Sequence, residues 1–269
     1  MIKREIYMQR IRPFINTDLI KVFTGIRRAG KSVMLELVKN ELKESGIGEE
    51  NFLCINFEQF SNSQFLDVES LYKKITDFQK NTKGKIYLFF DEIQEVDGWE
   101  KCINSCRIDF DCDIYITGSN AKLLSGELAT YLAGRYVEFV IYPFSFAEFF
   151  EMNLIKNPNV DKATCFMQFL KTGGMPFLSN FPDDDSAKSQ YLIDIYNSVV
   201  LKDVVTKIIN KLIRKFLYKK LIPLNSLLIN NYPRKLFNYK SLTITSFCSV
   251  KNSSYYAIIF RIYLKYCNQ

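Results

Sequence analysis

The sequence predicts an α/β fold: a parallel sheet flanked by helices, followed by a smaller helical region. Three observations predict it. Short apolar runs alternate with amphipathic stretches between Leu19 and Tyr142. The third run, Ile86-Tyr-Leu-Phe-Phe, is apolar throughout, as expected of a buried parallel strand. The first run ends at a glycine-rich loop that opens into a helix-forming segment.

Leu19-Ile-Lys-Val-Phe-Thr is the first predicted strand. Val33 to Glu44 places Val33, Leu35, Leu37, Val38 and Leu42 between charged residues, which suits an amphipathic helix. Phe52-Leu-Cys-Ile-Asn-Phe is a second strand, Leu66 to Lys80 a helix, and Ile86-Tyr-Leu-Phe-Phe a third strand. Trp99 to Phe110 reads as helix, Asp113-Ile-Tyr-Ile-Thr as strand, Ala121 to Ala133 as helix and Tyr136 to Tyr142 as a fifth strand. Beyond Pro143, helical patterns cover Phe146 to Met152, Thr164 to Thr172 and Ser189 to Ile209, with a turn at Gly173-Gly174-Met175-Pro176.

The chain has 269 residues, enough for one large α/β domain and a smaller appendage. No run reaches about 18 uncharged apolar residues, and Met1 to Arg12 has no apolar leader core, so the expected location is cytoplasmic, away from membranes. Histidine is absent, which excludes triads and metal sites that need imidazole. The chemistry must use carboxylates, Lys, Arg, hydroxyls and a bound cation. Seven cysteines are scattered without a CxxC pair; Cys102 and Cys106 share a helix face. With no histidine and no second ligand pair, the thiols are expected to be buried structural residues rather than zinc ligands.

The charge is divided unevenly. The net charge is +7, yet all 29 acidic residues precede residue 204. Residues 204–269 hold 12 Lys or Arg, no acid and no glycine, so the preceding part is net negative. Three readings of the segment stand together. It is a basic, aromatic-rich stretch for nucleic-acid phosphates and bases. It is a lysine-rich helical lid. Or it is an out-of-frame translation, since from Lys207 onward only Val250 and Ala257 belong to the residue types encoded by codons beginning with G. Translating the other two frames downstream distinguishes the last reading from the others.

Gly25-Ile26-Arg27-Arg28-Ala29-Gly30-Lys31-Ser32 satisfies GxxxxGK[ST], and it lies between a strand and a helix. Glycines let the backbone turn its N–H groups onto a phosphate chain, and the helix N-terminus adds its dipole. Lys31 is expected to reach the β- and γ-phosphates of ATP, Ser32 to ligate Mg²⁺, and Val33 to follow as part of the nucleotide-binding stretch. Arg27 and Arg28 either contact phosphate or a neighbour, or are solvated. Leu88-Phe-Phe-Asp91-Glu92 is an apolar strand ending in two acids. Asp91 would hold Mg²⁺ and Glu92 would polarise the attacking water. A turn or helix cap is the plainer alternative. Thr117-Gly118-Ser119-Asn120 follows the fourth strand; Asn120 either senses the γ-phosphate or caps a helix. Arg135 precedes the fifth strand and is either an arginine finger serving a neighbouring subunit or a surface arginine. No Asn/Thr-Lys-x-Asp guanine-reading motif is present, which favours ATP over GTP.

Several segments together resemble a group of AAA+-type ATPases from archaea and bacteria. They are Ile-Lys-Val-Phe-Thr-Gly-Ile-Arg-Arg-Ala-Gly-Lys-Ser, Phe-Asp-Glu-Ile-Gln-Glu-Val-Asp-Gly-Trp-Glu, Ile-Thr-Gly-Ser-Asn-Ala-Lys-Leu-Leu-Ser, Leu-Ala-Gly-Arg and Pro-Phe-Ser-Phe-Ala-Glu-Phe. The resemblance runs from about residue 1 to 205 and includes Gly173-Gly174-Met175-Pro176 and Lys202-Asp203-Val204-Val205. It implies an AAA+/RecA-like P-loop NTPase domain over 1–145 and a helical, lid-like region over 146–206. It further implies winged-helix-like and nuclease-like parts, whose pattern the chain leaves near Lys207. By the same resemblance Lys31 and Ser32 bind nucleotide, Asp91 binds Mg²⁺, Glu92 is catalytic, Asn120 is a sensor and Arg135 a finger. The expected activity is Mg²⁺-dependent ATP hydrolysis, in a homo-oligomer. A nucleotide-binding remnant without turnover and a DNA-binding ATPase using the basic tail are the alternatives.

Overall fold

In a computed structural model of the chain, residues 2–118, 132–181 and 184–199 are described, and all lie within one compact unit, Met1–Asn210. The expectations placed on Asn120, on nearly all of the 121–133 helix and on 207–269 fall outside these residues.

Five strands, β1 (Ile20–Thr24), β2 (Phe52–Asn56), β3 (Ile86–Asp91), β4 (Cys112–Thr117) and β5 (Tyr136–Val140), form one parallel sheet in the order β2-β3-β4-β1-β5. The sheet, flanked by helices, is the P-loop NTPase arrangement expected of the sequence. Parallel strands need crossovers, and the helices supply them. α1 (Glu5–Ile11) and α2 (Lys31–Glu44) cover one face, where Met8, Ile11, Met34 and Val38 meet Phe23, Phe89 and Tyr115. α3 (Val68–Asn81) and α4 (Trp99–Asp109) cover the other, where Leu71, Ile75, Trp99 and Ile103 meet Val22, Leu88, Phe90 and Ile116. Alternate residues of each strand feed opposite layers, so the strands are rich in apolar residues along their whole length.

After β5 the chain forms α5 (Phe146–Lys156), α6 (Lys162–Thr172) and α7 (Asp185–Val199). Phe149, Phe144, Cys165 and Ile2 form a separate small core beneath α5 and α6. Gly174 marks the closest approach. A Cβ there would lie 2.0 Å from the Phe144 carbonyl oxygen, and Phe144 N–H donates to the Gly174 carbonyl at 2.7 Å. None of the described helices is long and apolar enough to cross a membrane.

The helices at 31–44, 146–156 and 162–172 extend beyond their predicted limits. α1 was hidden because its seven residues are too few to establish a period. Cys102, Cys106 and Cys165 are buried as expected, but Cys54 is exposed. It lies on β2, an edge strand of the sheet.

One feature of β1 departs from its apolar appearance. Lys21 is fully buried and pairs with Asp113 of β4, also fully buried. Lys21 Nζ donates to the Thr17 carbonyl at 3.0 Å, and Asp113 Oδ2 accepts from Asn16 N–H at 2.8 Å and Tyr115 O–H at 2.7 Å. Burial lowers the Lys21 pKa, with Asp113 opposing that effect. Asp113→Ala leaves the ammonium without its counter-charge. We expect it to destabilise the fold by about 3–5 kcal/mol, measured by urea unfolding.

Candidate functional site

The order of the strands brings the glycine-rich loop and the acidic pair to one edge. β1, β4 and β3 are neighbours, so their C-terminal ends present Gly25, Thr117 and Asp91 side by side. Three residues of the loop have left-handed backbone: Gly25 (φ 137°), Arg28 (φ 64°) and Gly30 (φ 99°). Gly25 has a second reason to lack a side chain. A Cβ would stand 2.2 Å from the Ile141 carbonyl oxygen, because the chain leaving β5 passes directly over the loop. Gly30 caps α2, so the first N–H groups of that helix face the loop.

A cavity of about 1020 Å³ opens here. Its wall includes Arg27, Arg28, Gly30, Lys31, Ser32 and Val33 from the predicted loop, and Glu92 from the acidic pair. Lys31 is buried and Ser32 exposed. Apolar Ile2, Phe144, Met152 and Pro176 line another part of the wall. Of the remaining loop residues, Ala29 is buried and Ile26 exposed.

Asp91 is buried at the end of β3, and each of its carboxylate oxygens is engaged. Oδ1 accepts from the Thr117 hydroxyl, and Oδ2 accepts from Asn56 Nδ2 at 2.9 Å. A carboxylate oxygen has two acceptor sites, so each retains one for a hydrated cation. Glu92 has left-handed backbone (φ 54°, ψ 46°), unusual for a residue with a side chain. Its N–H is held at 2.9 Å by the Thr117 hydroxyl oxygen. Thr117 therefore joins Asp91 to Glu92 through a single hydroxyl. Glu92 Oε1 lies 3.5 Å from Lys31 Nζ, and Oε2 accepts from Gln94 Nε2 at 2.6 Å.

The two loop arginines contact protein neighbours. Arg27 pairs with Glu58 at 3.1 Å. Arg28 lies over the rings of Phe177 and Tyr191, 5.9 and 5.4 Å from their centroids, and donates to the Tyr191 hydroxyl at 3.3 Å. Arg135 is not brought to the cavity. It precedes β5, at the sheet edge opposite the loop, and donates to Asn104 at 3.0 Å. A five-residue strand is about 17 Å long, so Arg135 does not reach the site of its own chain.

Sequence reasoning missed Arg4. It is buried, with three donors committed: Nε to Glu148 Oε1 at 2.9 Å, Nη1 to the Ala29 carbonyl at 3.0 Å and Nη2 to the Tyr142 carbonyl at 2.7 Å. It also stacks over Tyr7 and Phe144. Arg4 thus fastens the loop to the chain leaving β5 and to α5. Glu148 simultaneously closes a capping box with Ser145 at the start of α5. The Ser-x-x-Glu spacing of that box was available in the sequence. Nothing local marked Arg4. Asn56 and Gln94 were equally invisible, because their partners lie across a strand pair or inside a tight turn.

Residues 17–150 match the model of the AAA domain family. An uncharacterised protein of Haemophilus influenzae is 44% identical over 206 residues, 76% of this chain and 50% of the relative. An uncharacterised protein of Methanocaldococcus jannaschii is 35% identical over 201 residues, 70% of this chain and 42% of the relative. The chain thus spans about half, or less, of the length of these relatives. Among solved structures, DnaA of Aquifex aeolicus bound to AMPPCP is similar at 15% identity and a TM-score of 0.47, over 93% of this chain and 73% of that one.

Thr117→Val keeps the branched shape and removes the shared hydroxyl. We expect a loss of about 2 kcal/mol in chemical unfolding, since one of the lost bonds involves a charged partner.

Proposed function

We propose that the chain binds Mg-ATP in this cavity and hydrolyses it to ADP and phosphate, as an AAA+-type ATPase. One observation carries the reading: a complete phosphate-binding loop and an Asp-Glu pair stand at the same end of the sheet with only β4 between their strands, and loop residues and Glu92 line a cavity large enough for a nucleotide. On this reading the loop N–H groups wrap the phosphates and Lys31 neutralises charge between the β and γ positions. Ile2, Val33 and Phe144 offer apolar surface to the base. Ser32 and Asp91 would hold Mg²⁺, which when bound offsets the negative charge of the phosphate chain. The donor set fits a hard cation, being a hydroxyl and a carboxylate with acceptor sites to spare. Glu92 orients a water and draws its proton as the water oxygen attacks the γ-phosphorus. The bond to the β-γ bridging oxygen breaks, and ADP leaves with the electron pair.

Arg135 serves this reading from a second copy of the chain. Its place at the far edge of the sheet leaves it able to stabilise transition-state charge only across an interface. A homo-oligomer is accordingly part of the proposal.

Lys31→Ala is expected to weaken ATP binding at least about 100-fold, since it removes the charge-assisted contact to phosphate. Equilibrium titration with a fluorescent ATP analogue reads this out, and unchanged binding refutes the assignment. Glu92→Gln should retain binding and lower steady-state phosphate release by about 100-fold or more. Arg135→Ala should leave binding intact and reduce turnover; a mixture of Arg135→Ala with Glu92→Gln chains regaining activity would place the two groups on different subunits.

A further inference from the structure

Glu92 sits between a cation and a neutral amide, and it stands closer to the amide. The 3.5 Å to Lys31 Nζ exceeds the usual N–H···O range of about 2.7–3.2 Å, whereas the 2.6 Å to Gln94 Nε2 is a short, strong bond. Electrostatics alone favours the reverse. The Lys31 and Glu92 side chains are 4% and 13% exposed, and opposite charges attract strongly when shielded from water. Something therefore holds the carboxylate back. The main chain of Glu92 is fixed by its left-handed conformation and by Thr117. The carboxylate itself is held by Gln94.

The placement of Gln94 has no other evident cause. Its Oε1 is buried and accepts no hydrogen bond among the described residues. Burying an unpaired amide oxygen is unfavourable, so the bond to Glu92 must outweigh it. Gln94 lies on the short 3-10 turn Ile93–Glu95, whose Ile93 is anchored in the core, so the amide projects from a fixed base.

We propose that Gln94 is a positioning residue for Glu92: it draws the carboxylate away from Lys31, leaving the lysine open to phosphate and the carboxylate aligned for water. The proposal rests on the ATP reading of the cavity. Without the amide, the carboxylate closes onto Lys31, and an incoming nucleotide must first break a direct ion pair. Gln94 acts through the Glu92 charge, so it becomes dispensable once that charge is removed.

The test is a double-mutant cycle on the full chain, read by affinity for a fluorescent ATP analogue with Mg²⁺ and by phosphate release. Gln94→Leu should raise the dissociation constant about tenfold and also lower kcat, in line with losing a hydrogen bond to a charged group. In the Glu92→Gln background the same change should leave affinity unaltered. Gln94→Asn keeps the amide but withdraws it by one methylene, and should weaken binding in the same direction, which guards against misfolding of the leucine variant. Wild-type affinity in Gln94→Leu overturns the proposal. So does an equal loss in both backgrounds, which would mark Gln94 as merely structural. Failure of the wild-type chain to bind the analogue would instead overturn the ATP reading, and this inference with it. Binding without turnover leaves the affinity comparison decisive.

Discussion

Everything at the site depends on β4 lying between β1 and β3. Parallel strands are spaced by about 4.8 Å, so one intervening strand separates the glycine-rich loop from the acidic pair by about 10 Å. Direct neighbours would leave too little room for a phosphate chain and a hydrated cation. Two intervening strands would place the acids out of reach. β4 also contributes Thr117 at its end, and the threonine hydroxyl ties Asp91 and the Glu92 main chain together. The spacing and the clamp thus come from one strand.

The loop is held from outside as well as from below. Arg4 reaches the Ala29 carbonyl, the Tyr142 carbonyl and Glu148 at once, linking the N-terminal segment, the exit of β5 and the start of α5. Such a buried guanidinium is stable because its donors point at acceptors in fixed places and Glu148 balances its charge. Arg28 makes a second link, to Phe177 and Tyr191 of the helical segment. The loop that would receive phosphate is therefore in mechanical contact with the helices following the sheet. Any rearrangement of the loop has a direct path to them.

The site contains local strain in two places that matter chemically. Arg28 and Glu92 adopt left-handed backbone that side chains ordinarily avoid. In the loop this conformation helps turn successive N–H groups inward. At Glu92 it leads into the 3-10 turn that carries Gln94 back against the carboxylate. The stability that offsets this comes from the two apolar layers packed against the sheet.

The sequence by itself determined the five strands, their parallel class, the loop at Gly25–Ser32 and the acidic pair at Asp91-Glu92. These are local signals: short predominantly apolar runs, a fixed glycine spacing, and acids ending a strand. The tertiary structure alone decided which groups converge. Thr117, Asn56 and Arg4 acquire their roles from partners that strand order or the N-terminal segment brings near, 25 residues away for Glu92 and Thr117 and 144 for Arg4 and Glu148, while Gln94 meets Glu92 through the conformation of one tight turn. It also set Arg135 apart from the cavity of its own chain, because that residue precedes a strand whose other end faces the cavity. Periodicity reports which side of an element is apolar. Which element stands next to which follows from packing the whole sheet, and no window of sequence contains that information.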